Sequence, residues 1–435
     1  MSATAGARFL DGPLTGSSGV PGDKSISHRS ALLAAMASGR SRIRRFSTAG
    51  DCASTLHLLR QLGVVVHRHG GDLYVDGRGV EALPEPPRPL DCGRSGTTMR
   101  LAAGLLAGTP GRRTVLSGDD QLLRRPMTRV AEPLRRMGAS VGTTPGGTAP
   151  LTVDGAALRG IQYVLPVASA QVKSAILLAG LQASGTTVVV ETVPTRDHTE
   201  RLLRSVGVPV AVSSSADGRV RTCLSAATPD RLDLVVPGDF SSAAPLIAAA
   251  ALVPGSDVLL EDIGLNPTRT GLLRVLDRMG AAIEVVPGAT EPEPRGSIRV
   301  HHTALQATSV TAEEVPALID ELPLVGLLAA AAEGRTEVRG AAELRAKESD
   351  RITGLVAGLR ALGASADELS DGFEVQGPAA LTGGYADALG DHRLAMTFVV
   401  AGLIASGAVH VSGQEFVSDS FPEFFATLGR LRGHR

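Results

Sequence analysis

The chain has 435 residues, 43% of them hydrophobic and 20% charged, enough for two or three domains with substantial cores. With 43 basic against 44 acidic residues the formal net charge is −1, and aromatics are 3%, so neither a duplex-binding face nor a base-stacking platform is predicted and any anion site must be a local cluster. No apolar run of about 18 residues exists to span a bilayer, the start MSATAGARFLDGPL lacks the apolar core of a signal peptide, and Cys52, Cys92 and Cys223 lie too far apart for a disulfide framework or CxxC zinc pairs. The chain therefore reads as cytoplasmic.

The first element is a strand-like run within ARFLDGPLTG, residues 7–16, followed by PGDKSISHRSALLAAMASG at 21–39. That stretch resembles a nucleotide loop but is not one, because Asp23 separates Gly22 from Lys24 and the wrapping backbone N–H groups are missing. It places Lys24, Ser25, His28 and Arg29 on the first turns of an apolar helix, whose N-terminal N–H groups attract anions. Further apolar, Ala-rich helices follow, ending at Gly108, Gly185, Gly255, Gly334 and Gly407. Counted from Gly39 the intervals are 69, 77, 70, 79 and 73, too regular for chance. Such helices, apolar all round, belong inside.

A second series runs in phase, with Leu/Arg helices stopping at Gly63, Gly138, Gly207, Gly280, Gly363 and Gly429, each glycine suited to a left-handed helix end. These are predicted to be outer, amphipathic helices. Short runs such as LYVDG, TVVVE and VLLED supply the strands. PGDFSSAAPLIAAAALVPG at 237–255 repeats the opening stretch at an offset of 216 residues. The expected fold is therefore α/β (α+β): six units of about 70 residues, three per domain, with sheets outside and Ala-rich helices inside. Domain one is predicted over 22–236 and domain two over 1–21 plus 237–435, with the site in the cleft between them and a hinge at the two crossings.

Polar residues gather at the starts of the inner helices: Lys24, Ser25 and Arg29; Arg94, Ser95, Thr97 and Arg100; Ser169, Gln171 and Lys173; Asp239, Ser241 and Ser242; Asp320 and Glu321; Asp391, His392 and Arg393. Parallel helices would bring these ends to one face, a setting for small, multiply charged ligands. LRRPM at 123–127 and LRAKESDR at 344–351 add concentrated charge. His198 and His392 lack an HExxH or paired-carboxylate spacing, so no metal is assigned.

In order, PGDKSISHR, SGTTMR, RRPM, SAQVKSA, TRDHTE, VPALIDELP, AKESDR, GDHRLAM and SFPEF resemble the enolpyruvyl transferase family over nearly the whole chain. The resemblance implies a two-domain inside-out α/β barrel of six βαβαββ units, three per domain, around buried parallel helices. It implies, for the branch acting on shikimate 3-phosphate, transfer of the enolpyruvyl group of phosphoenolpyruvate to the 5-hydroxyl with release of phosphate, without a cofactor. Asp320, Glu348 and Lys24 are then the expected catalytic residues. Phosphoenolpyruvate falls to Lys24, Gly96, Thr97, Arg125, Arg351 and Arg393, and shikimate 3-phosphate to Lys24, Ser25, Arg29, Ser169, Gln171, Arg196, Asp320 and Lys347.

Gly96 implies an open slot and sensitivity to glyphosate, although Arg94 stands where many members have Asn and Asp419 where some have Lys. The sister branch acting on UDP-N-acetylglucosamine usually has Asn after the early Lys and a Cys in its mobile loop; here Ser25 follows Lys24, and GDDQLLRRP has no Cys. A six-unit clamp around nucleic acid would instead spread its cations along the outer helices. The implied partners are the two small substrates, with no nucleic acid or membrane, and a monomer suffices.

Overall fold

The computed structural model describes residues 12–86 and 88–433; residues 7–11 of the first strand-like run, and with them most of the N-terminal stretch weighed as a signal peptide, lie outside the described residues. Contacts divide the chain into two units. One is Gly22–Pro237, joined by Glu291–Glu293; the other is the segment ending at Pro21 with Gly238–Thr290 and Pro294–Arg435.

In the Gly22–Pro237 unit, three inner helices, Lys24–Met36, Gly96–Ala107 and Ala170–Gly180, are almost wholly buried. Their alanines and glycines allow close packing. A Cβ at Gly104 would meet the backbone oxygen of Ala175 at 2.2 Å, so this helix crossing requires glycine. Each inner helix leads into a strand of a four-stranded sheet. Strands alternate faces, and in Asp72–Arg78 Leu73 and Val75 are fully buried while their neighbours are partly exposed. The outer helices Gly50–Gln61, Thr128–Met137 and His198–Ser205 bury one stripe each and lead to Gly63, Gly138 and Gly207, whose φ values of 72°, 115° and 76° fit the left-handed turn expected of them.

The other unit repeats the plan with inner helices Phe240–Leu252, Leu322–Ala331 and His392–Ala401. All residues of Phe240–Leu252 are buried. The swap at the crossings is explicit in strand pairing. Thr15–Ser18, just before the first crossing, pairs in parallel with Asp257–Gly264 of this unit. Asp233–Val235, just before the second, pairs in parallel with Ser38–Arg44 of the unit it leaves.

Two expectations need correction. Among the described residues, five sheets have four strands, but the sixth has only two, Gly384–Asp387 and Val409–Ser412. After the last inner helix the described residues form the strand Val409–Ser412, a 3-10 turn at Gln414–Asp419 and the helix Phe424–Leu431. Nor is Gly429 a helix end. It lies inside Phe424–Leu431, and the left-handed residue is Gly433, φ 78°.

Candidate active site

Each unit gathers its polar side chains at the starts of its inner helices. In the Gly22–Pro237 unit the helix ends are closed by their own caps: Asp23 Oδ1 accepts from Ile26 N at 2.9 Å, Ser95 Oγ from Thr98 N at 3.1 Å and Ser169 Oγ from Val172 N at 3.4 Å. Capping answers part of the positive end of each helix, so anion binding rests on side-chain cations more than on bare helix ends.

Lys24 Nζ lies 3.1 Å from Asp51 Oδ2, a partner that sequence reading missed. Arg29 is buried and spends three donors on the protein: Nε on Thr199 Oγ1 at 2.8 Å, Nη2 on Ser174 Oγ at 2.8 Å and Nη1 on the Ser25 carbonyl at 2.9 Å. Burial, then the neighbouring Arg196 charge, pulls its pKa down to about 10 against the opposing Glu200. The like charges of Arg29 and Arg196 repel, and an anion that meets both would offset that repulsion. His28, also buried, holds Thr55 Oγ1 at 2.6 Å, which in turn meets Thr98 Oγ1 at 2.7 Å. Burial, aided by Lys24 and Arg29 against Asp51, lowers His28 to about 3, so its ring is neutral.

The structure brings Gly96, Thr97, Arg125 and Gln171 together, with Arg100 among them. Gln171 Nε2 donates to Thr97 Oγ1 at 2.9 Å while its oxygen accepts from Arg100 Nη1. A Cβ at Gly96 would stand 3.0 Å from Arg125 Nη1 and 3.3 Å from Arg100 Nη1. Arg94 is turned onto Gln121 at 2.9 Å and Asp119 at 3.3 Å. Lys173, counted among the helix-start cations, is fully buried between Glu191 at 2.9 Å and Glu200 at 2.8 Å. Burial alone would lower its pKa, but the two carboxylates prevail and hold it above the usual lysine value, which makes it a structural ion cluster.

In the other unit the guanidinium of Arg351 holds three carboxylates. Arg351 Nε lies 2.7 Å from Asp391 Oδ2, Nη1 3.2 Å from Asp320 Oδ1 and Nη2 2.6 Å from Glu348 Oε2. Its side chain is 2% exposed, whereas those of Asp320 and Glu348 are 15% and 20% exposed. Burial would depress Arg351, yet Asp391, Glu348 and Asp320 outweigh it and keep it firmly charged. Asp391 also caps its own helix through Arg393 N at 2.8 Å, and Arg393 Nη1 donates to the Ser241 carbonyl at 3.0 Å. Lys347 is part-exposed beside Glu348, ahead of the helix Arg351–Ala361 that Asp350 caps. The remaining charge of LRAKESDR is structural, since Arg345 pairs with Asp350 at 2.9 Å and Glu368 at 2.8 Å.

Taken together, one unit offers Lys24, Arg29, Arg100, Arg125 and Arg196, and the other offers Arg351 and Arg393 beside partly exposed carboxylates. Cations in such numbers suit polyanionic ligands, and carboxylates held by an arginine suit proton transfer. Asp51 and Arg100 stand beside these candidate residues, and sequence reading did not assign them.

A family model described as EPSP synthase (3-phosphoshikimate 1-carboxyvinyltransferase) matches residues 10–428. A protein named 3-phosphoshikimate 1-carboxyvinyltransferase from Bacillus velezensis is 46% identical over 424 residues, 96% of this chain and 97% of its own. One of that name from Pelotomaculum thermopropionicum is 49% identical over 424 residues, 96% of each chain. Among solved structures, EPSP synthase from Acinetobacter baumannii superposes with a TM-score of 0.85 at 40% identity, covering 98% of both chains. An enolpyruvyl transferase from Streptomyces tendae, at 20% identity and TM-score 0.78, covers 97% of this chain and 96% of its own and shares the fold.

Proposed function

Since the chain belongs to the EPSP synthase family and transfers the enolpyruvyl group of phosphoenolpyruvate to the 5-hydroxyl of shikimate 3-phosphate with release of phosphate, we propose how its residues divide that work. The reaction makes one carbon–oxygen bond, between the 5-oxygen and C2 of phosphoenolpyruvate, and breaks another, between C2 and the phosphate. C3 must gain a proton so that C2 becomes electrophilic, the 5-hydroxyl must lose one, and the tetrahedral adduct must then give up the C3 proton and the phosphate.

Asp320 accepts the 5-hydroxyl proton. Glu348 and Lys24 handle the C3 proton and the departing phosphate, with Asp51 orienting the Lys24 ammonium. Arg125, Arg351 and Arg393 clamp the carboxylate and phosphate of phosphoenolpyruvate, and Gly96 and Thr97 line that position. Arg29 and Arg196, with Ser25, Ser169, Gln171 and Lys347, hold shikimate 3-phosphate, whose phosphate would relieve the repulsion between the two guanidinium groups. The observation that carries this division is the Arg351 cluster, because it keeps two part-exposed carboxylates, Asp320 and Glu348, on one buried guanidinium. A fixed guanidinium beside reacting carboxylates provides electrostatic stabilisation without reorganisation.

All of these residues lie in one chain, so a monomer suffices for the reaction. Both substrates are multiply charged and cross no bilayer unaided, which supports a cytoplasmic location. The test is to measure turnover and shikimate 3-phosphate binding for Asp320→Asn and Glu348→Gln. Each is expected to lose about 100-fold or more in kcat while still binding shikimate 3-phosphate. Wild-type turnover in either variant would remove that residue from the proton-transfer role.

A further inference from the structure

Arg269 stands in NPTRTG, residues 266–271, a stretch that none of the roles above uses. The turn is fixed locally: Asn266 Oδ1 accepts from Thr268 N at 3.0 Å and Thr268 Oγ1 at 2.7 Å, and Asn266 O accepts from Arg269 N at 2.8 Å. It presents a guanidinium whose side chain is 4% exposed to a carboxylate that is fully buried, with Nη1 3.1 Å from both oxygens of Glu321. Nη2 is hydrogen-bonded to Ser241 Oγ and lies 3.6 Å from Asp239 Oδ1.

Both partners are one step from residues assigned to the reaction. Glu321 follows Asp320 directly and caps the helix Leu322–Ala331, its carbonyl accepting from Leu324 N at 2.9 Å and Val325 N at 3.1 Å, so holding Glu321 holds the helix start that Asp320 immediately precedes. Ser241 O receives Arg393 Nη1 at 3.0 Å, and Ser241 N is tied to Asp239 Oδ1 at 2.8 Å. A buried ion pair is weak evidence for stability, since well-packed apolar residues often serve as well. Its placement between the supports of two functional side chains asks for a geometric role.

We infer that Arg269 is a positioning residue, one that holds Asp320 and Arg393 in mutual register through Glu321 and Ser241; this rests on the roles proposed above for Asp320 and Arg393. Two variants test it. Arg269→Gln/Glu321→Gln removes both charges and leaves no orphaned partner within the pair, while Arg269→Lys keeps the charge but loses the fork that spans Glu321 and Ser241. Both are expected to unfold cooperatively, to lose about 10-fold or more in kcat, as misplacement of reacting groups does, and to show a displaced pH profile of kcat, with Arg269→Lys the less affected. Wild-type kcat and pH profile in a folded double variant, or in Arg269→Lys should the double variant not fold, would overturn the inference. Failure of both to fold would make the network structural and overturn it as well. Asp320→Asn is assayed in parallel: wild-type turnover there would sink the role of Asp320 itself, independently of Arg269.

Discussion

The guanidinium of Arg351 stands 3.2 Å from the carboxylate of Asp320, and its two remaining nitrogens are taken by Asp391 and Glu348. A lysine at this position carries the charge but reaches one carboxylate at a time. Arg351→Lys should therefore lower stability by about 3 kcal/mol, the low end for breaking a buried ion network, and raise KM for phosphoenolpyruvate at least about 10-fold, equivalent to about 1.4 kcal/mol. Denaturant midpoints and steady-state kinetics check both. An unchanged KM would detach Arg351 from substrate binding.

His28 predicts a particular acid sensitivity. Unfolded, its ring protonates near pH 6.5; folded, only near 3. Between those values the unfolded chain binds the extra proton. The contribution of His28 to stability is thus fully present above about pH 6.5 and is lost as the pH falls through about 3, at about 1.4 kcal/mol per pH unit. His28→Asn offers an uncharged partner to Thr55 and should flatten the stability curve between pH 6 and 4 by roughly that slope. Parallel curves for the two proteins in urea titrations would contradict the neutral assignment.

Gly104→Ala places a methyl 2.2 Å from the backbone oxygen of Ala175. A backbone atom cannot swing aside as a side chain can, so the helices Gly96–Ala107 and Ala170–Gly180 must part. The expected loss is about 1–3 kcal/mol, read from chemical unfolding. Since both helices begin at site residues, kcat should fall as well.

At Gly96 the outcome differs, because an added methyl meets the movable ends of Arg125 and Arg100. Gly96→Ala should fold as well as the parent or gain up to about 1 kcal/mol from helix propensity. It should raise KM for phosphoenolpyruvate and raise the inhibition constant of glyphosate further still. Inhibition constants unchanged by the methyl would mean that the slot beside Gly96 is not where the inhibitor sits.

The repeat was legible because its devices are compositional. Alanine-rich helices and glycines at helix ends announce themselves in one dimension, and so did the crossings at Pro21–Gly22 and Pro237–Gly238. Lys173 was misread, although the spacing held a clue: two residues on from Gln171, it must face another side of the helix, and there it meets Glu191 and Glu200. Long-range pairs were beyond reach. Nothing in the sequence joins Lys24 to Asp51 or Arg269 to Glu321, because each pair is created by packing between elements far apart in the chain.

The most direct test of the account is release of inorganic phosphate by the purified chain supplied with shikimate 3-phosphate and phosphoenolpyruvate, with each substrate omitted in turn. Release that requires both, one phosphate per enolpyruvyl group transferred, is the predicted result. Release from phosphoenolpyruvate alone, or none with both present, would contradict it.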